Sequence, residues 1–202
     1  MGWRRALLAA LWLAALSAPA LAGERERMLD AAHAQVGVTV QYDGSYVLLA
    51  YPGGDVPADR GVCTDVVVRA LRATGLDLQQ VVHEDMRRYF AAYPPLWGLR
   101  RPDRNIDHRR VPNLETWLRR AGHALPATGR ASDYRPGDLV TWRLPGGLPH
   151  IGIVSDRPVR DGSGRRLVVH NQGAGARVED VLLAWRPVGH FRLFRDSAAP
   201  AR

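Results

Sequence analysis

PGDLVTWRLPGGLPHIGIVSD, residues 136–156, holds two short β-type runs separated by turn residues. Leu139-Val140-Thr141-Trp142 is the first and Ile151-Gly152-Ile153-Val154 the second. Short apolar runs rich in β-branched and aromatic residues, bounded by Gly and Pro, read as strands. Two further runs follow, Leu167-Val168-Val169-His170 and Gly189 to Phe194. Upstream the pattern is helical. Glu24 to Val36 spaces Met28, Leu29, Ala32 and Val36 along one face, with Gly37 as a stop. Helices first and antiparallel strands later indicate an α+β fold, with N-terminal helices packed on an antiparallel β-sheet.

The segments between give the remaining organisation. Val38 to Tyr42 alternates enough for a short strand, and a turn-rich passage from Tyr51 to Pro57 leads to Cys63. Val66, Val67, Ala70, Leu71 and Ala73 place an apolar face on a helix that ends before Gly75. Asp77 with Gln80 forms a capping pattern for a helix to about Tyr93, where Pro94 and Pro95 stop it. Residues 94–112 are a long, polar, Pro-rich connection, of a length that is uncommon without a role. Asn113 caps a helix running to Gly122.

Residues 1–22 carry the marks of a signal peptide. Arg4 and Arg5 precede an apolar stretch from Ala6 to Ala15, and Ala20-Leu21-Ala22 fits the small-x-small cleavage rule. The expected location is therefore periplasmic or secreted. No later run is apolar enough to span a bilayer, so no membrane span remains after signal cleavage. Residues 23–195 suffice for one domain, and 196–202 read as a disordered tail. The formal charge is +8, or +6 once Arg4 and Arg5 are removed. No basic stripe interleaves with aromatics, so nucleic acid is not an expected partner.

Cys63 is the sole cysteine, so it has no partner for an internal disulfide. It opens an amphipathic helix, where the helix dipole favours a thiolate. The bland alternative is a buried small hydrophobe. His150 opens one β-run and His170 closes the next, so adjacent antiparallel strands bring them side by side. Packing the Cys63 helix on that same face would give a Cys, His, His line able to support nucleophilic catalysis. Asn171 falls on the opposite face of a regular strand and is the second choice for an orienting group. Tyr51 and Tyr42 are candidate oxyanion donors, with simple packing as their alternative. His83-Glu84-Asp85 and Asp107-His108 lack metal-ligand spacing and read as a structural network, so neither metal nor cofactor is expected. Arg109 and Arg110 either meet substrate carboxylates or pair with Glu84 and Asp85.

The order of a helix-borne Cys63, then Pro136-Gly137-Asp138-Leu139-Val140, then His150-Ile151-Gly152-Ile153-Val154, then His170 resembles the NlpC-type papain-like cell-wall peptidases. A closer resemblance spans residues 28–194 and is to the bacterial exported family catalogued as domain of unknown function 1287. It rests on Tyr51-Pro52-Gly53-Gly54-Asp55-Val56-Pro57, Gly61-Val62-Cys63-Thr64-Asp65-Val66-Val67, His83-Glu84-Asp85-Met86, Asn105 to Leu114, His170-Asn171 and Gly189-His190, besides the two β-blocks. The resemblance implies a papain-like (NlpC-type) fold. It also implies Cys63 as nucleophile, His150 as base and His170 as orienter. The expected activity is cysteine hydrolysis of an amide bond, with peptidoglycan or its stem peptides as partner. A non-catalytic wall-binding module and an acyltransferase or lipid-amide hydrolase are the alternatives.

Overall fold

The computed structural model describes residues 23–194; the expected signal peptide (1–22) and tail (196–202) lie outside the described residues. Among those residues, helix α1 (Glu24–His33) is followed by a short parallel pair, β1 (Gln41–Tyr42) and β2 (Arg60–Gly61). Helices α2 (Cys63–Arg72), α3 (Leu78–Tyr89) and α4 (Val111–Arg120) come next. Strands β3 (Ala124–Leu125), β4 (Leu139–Arg143), β5 (Pro149–Pro158), β6 (Arg166–Asn171), β7 (Ala176–Glu179) and β8 (Pro187–Phe191) complete the chain. The last six form one antiparallel sheet in the order β3-β8-β4-β5-β6-β7. The architecture is α+β. No helix among the described residues is long and apolar enough to cross a membrane.

Strand alternation gives the sheet two buried faces. Leu139, Ile151, Ile153, Val169 and Phe191 pack under the helices with Met28, Val66, Val67, Leu71, Leu114 and Leu118. Val140, Trp142, Val154 and Val168 point the other way, against Tyr134, Leu182 and Trp185 from the flanking loops. Helix α2 is the centre of the first layer, with eight of its ten residues buried, so it stands between the sheet and the other helices. Each fully buried Val or Leu there contributes about 1.5–3 kcal/mol of burial energy.

Local details depart from the sequence reading for visible reasons. The α4 helix begins at Val111 rather than after Asn113. Pro112 is compatible with the first turn, since its missing N–H would be unpaired there anyway. Asn113 lies inside the helix and donates Nδ2–H to the Asp107 carbonyl at 3.1 Å. The cap of α3 is Asp77 alone, which accepts from the Gln79 amide at 3.1 Å, while Gln80 bonds Glu84 instead. α3 also ends at Tyr89, four residues short of Tyr93. The long 94–112 connection holds a 3-10 turn at Asp107–Arg109.

Candidate active site

Cys63 starts α2 because Gly61 and Asp65 shape the entry. Gly61 has φ 153°, and a Cβ there would meet Asp65 Cβ and Oδ2 at 2.9 Å. That space lets the Asp65 carboxylate accept the Val62 amide at 2.7 Å, which ties down the helix N-terminus. The Cys63 residue is only 4% exposed. Its thiol sits against the helical face of the sheet, beside the Ile151 N–H that immediately follows His150. Burial raises the thiol to about 11. The Ile151, Thr64 and Cys63 N–H groups oppose that rise, and the Asp65 charge adds to it. Tyr42, about half exposed, lies close enough to Cys63 for the two to interact electrostatically.

His150 and His170 form a direct hydrogen bond, Nε2 to Nδ1 at 2.9 Å. Both imidazoles lie on the Trp142 face of the sheet. His150 has ring centroids of Trp142 at 5.8 Å and Trp185 at 6.0 Å, and a Cβ on Gly152 would strike Val168 and His170. Helix α2 therefore packs on the face opposite to that of the two rings, not on the face they share as the sequence reading pictured. Among the described residues, no hydrogen bond joins Cys63 to either imidazole. The thiol and His150 instead flank the same stretch of strand. Burial is the main cause that lowers His150 to about 3, and His170 adds to it.

The other candidates divide clearly. Asn171 does share the thiol's face, but its Nδ2 is spent on the Gly61 carbonyl at 3.0 Å, so it positions the entry loop. Tyr51 stacks edge-on against His83 at 5.2 Å, away from the sheet. Arg109 is not a substrate contact: its side chain is 1% exposed and grips Asp65 through Nε at 2.9 Å and Nη2 at 3.0 Å. It also donates to the Ser45 and Asp43 carbonyls, both at 2.9 Å. Neither arginine pairs with Glu84 or Asp85; Arg110 pairs with Asp107 at 3.3 Å and lies over the Trp97 ring at 4.1 Å. His83-Glu84-Asp85 and Asp107-His108 gather no metal-ligand cluster with His190 among the described residues. His190 instead bonds Asp138 at 2.7 Å.

Glu179, on β7, escaped the sequence reading. Its carboxylate reaches His170 Nε2 at 3.1 Å, off the axis of the ring N–H, with the glutamate side chain 41% exposed. A carboxylate beside Nε2 holds a proton there, which leaves His170 Nδ1 as an acceptor. His150 Nε2–H then donates, and His150 Nδ1 is left as the free base. Only the β6–β7 pairing brings Glu179 to this point, and nothing in its local sequence marks it.

Buried neutral imidazoles make a pH prediction. His150 falls from 6.5 to about 3 and His108 from 6.5 to about 4, both mainly through burial. The unfolded chain takes these protons near pH 6.5, so stability is full above that value and is lost as pH falls toward 3–4. Asp107, raised by burial to about 6, acts in the opposite sense and offsets part of the loss. The melting temperature should fall steadily from pH 6.5 to pH 4, with a loss on the order of several kcal/mol. A flat profile over that range, measured by calorimetry, would contradict the buried neutral assignment.

Comparison with known proteins adds three findings. The model of the family described as domain of unknown function (DUF1287) matches residues 29–193. The Escherichia coli K12 protein described as uncharacterized protein YijF is 60% identical over 165 residues, covering 82% of this chain and 80% of that one. A crystal structure from Staphylococcus aureus subsp. aureus Mu50, described as similar to a lipoprotein of the NLP/P60 family, aligns at 10% identity with a TM-score of 0.40. That alignment covers 84% of this chain but only 42% of the longer one.

Proposed function

The chain belongs to the DUF1287 family, and from that premise we propose that it is an exported cysteine hydrolase cleaving an amide bond, most simply in peptidoglycan stem peptides. The observation that carries the reading is the meeting of the Cys63 thiol with the backbone of β5 directly after His150, whose ring already heads a His150–His170–Glu179 chain. In this reading Cys63 attacks the amide carbonyl. The S–C bond forms, the thiol proton passes to His150 Nδ1, and that proton then leaves with the amine as the C–N bond breaks. Water hydrolyses the thioester. The Cys63 and Ile151 N–H groups are oxyanion donors, and the Tyr42 hydroxyl is a third.

The resting pair is a neutral thiol and a neutral imidazole, because burial raises one group and lowers the other. Ring and thiol lie on different faces near the start of β5, so the reaction requires the His150 side chain to turn toward the thiol when substrate binds. A positioning role for Glu179 predicts that Glu179→Gln lowers kcat by about tenfold with KM unchanged and shifts the acidic limb of the pH–rate profile, where His150 takes up its proton. Equal changes in kcat and KM with an unmoved profile would make Glu179 a surface residue only.

One observation favours a second reading, a non-catalytic wall-binding module with a structural thiol: Cys63 is buried and its side chain and the imidazoles lie on different faces. Digestion of purified peptidoglycan by the mature protein and by Cys63→Ala, read by mass spectrometry, separates the two. New fragments from the wild type alone support the hydrolase. Binding to the wall without fragments from either protein supports the module.

A further inference from the structure

Among the described residues, many arginines are ion-paired. Arg69, Arg72, Arg109, Arg110 and Arg120 each hold a carboxylate within 3.3 Å. Arg100, Arg101 and Arg104 are different. They line a cleft of about 600 Å³ on the 94–112 connection, and among the described residues none of them has a carboxylate partner. His83 also lines the cleft, with its Nδ1 buried and unpartnered among those residues. Burial, Arg87 and Arg104 hold its imidazole below its ordinary range, while Asp103 and Glu84 work against them.

The wall of this cleft is built, not loose. Asp103 accepts the Asn105 amide and Nδ2–H, both at 2.9 Å, and the Tyr46 hydroxyl at 3.0 Å. Asn105 Oδ1 accepts the Leu49 amide at 2.9 Å, and Gln79 Nε2–H donates to the Arg104 carbonyl at 3.2 Å. These bonds fix the 103–105 backbone that presents Arg104 at the end of the 100–101 segment. The cleft is linked to the thiol through the 42–46 segment. Tyr42 neighbours Cys63 and Tyr46 lines the cleft, and four residues of extended chain reach at most about 14 Å.

We propose that this cleft binds an acidic peptide, with two or more of its carboxylates held by Arg100, Arg101 and Arg104. The guanidinium fork matches a carboxylate bidentately. Asp103 supplies an acceptor in the same cleft, which suits peptide N–H groups and opposes a compact, multiply charged phosphate. Leu99 and Pro102 give apolar surface for side-chain stems. The site stands whether or not Cys63 is catalytic, so it is measured on Cys63→Ala as well as on the wild type.

Calorimetric titration with tetraglutamate, tetraglutamine and inorganic triphosphate tests it. Tetraglutamate should bind at low salt and tetraglutamine should not. The Arg100→Gln, Arg101→Gln, Arg104→Gln triple variant should bind at least tenfold more weakly. A second triple, Arg157→Gln, Arg160→Gln, Arg186→Gln, removes the same charge from exposed positions outside the cleft and should stay within twofold of the wild type. Absent binding, or equal loss in both triples, overturns the site. Tighter binding of triphosphate than of tetraglutamate overturns the peptide assignment.

Discussion

Replacing Arg109 with Leu is expected to lower the free energy of unfolding by about 3–5 kcal/mol, because it strands a buried carboxylate. The Arg109 and Asp65 side chains are 1% and 3% exposed. The guanidinium makes two bonds to Asp65 and one each to the Ser45 and Asp43 carbonyls. In a domain of this size the loss corresponds to a melting temperature lower by roughly 6–20 °C. The effect reaches the thiol as well: Asp65 already works against a thiolate at Cys63, and without its counter-ion it does so more strongly. Adding Asp65→Leu should recover part of the stability, since the buried charge is then gone. Urea unfolding of the single and double variants checks this. A change below about 1 kcal/mol for Arg109→Leu would mean that the pair is solvated in solution.

His150→Ala carries the largest expected effect on turnover. A positioned general base supplies about 10²–10⁴-fold in rate. Peptidoglycan cleavage should fall by that factor, mostly in kcat. His170→Ala should act in the same direction but less strongly, since it removes only the group that fixes the His150 tautomer. The kcat and KM values of both variants, with thermal unfolding as a control for the packing against Trp142 and Trp185, decide the matter. A His150→Ala protein that folds normally and keeps full turnover would remove His150 from the reaction.

The α+β order was readable because it rests on short-range signals. The runs at 139–142 and 151–154 carry β-branched residues between turn formers, and the α2 face repeats at helical spacing. Side-by-side placement of two residues on neighbouring strands also follows from register, as with His150 and His170. Which face of the sheet a helix covers does not. That depends on the long-range packing of α2 against Ile151, Ile153 and Val169, and alternation alone leaves both faces open. Arg109 illustrates the same limit. Its burial depends on Asp65, 44 positions earlier, and on the carbonyls of the 43–45 loop. The role of Glu179 depends on the β6–β7 register, while β7 itself is a four-residue strand without a strong apolar pattern.

Catalysis by the thiol requires that the Cys63 sulfur becomes acylated. The most direct measurement is acid quench of the protein during turnover of a peptidoglycan fragment, followed by mass spectrometry of the intact chain and its peptides. A transient adduct on the Cys63 peptide, removed by hydroxylamine and absent from Cys63→Ala, is the predicted result. Fragments formed with no adduct, by a Cys63→Ala protein as active as the wild type, would contradict it.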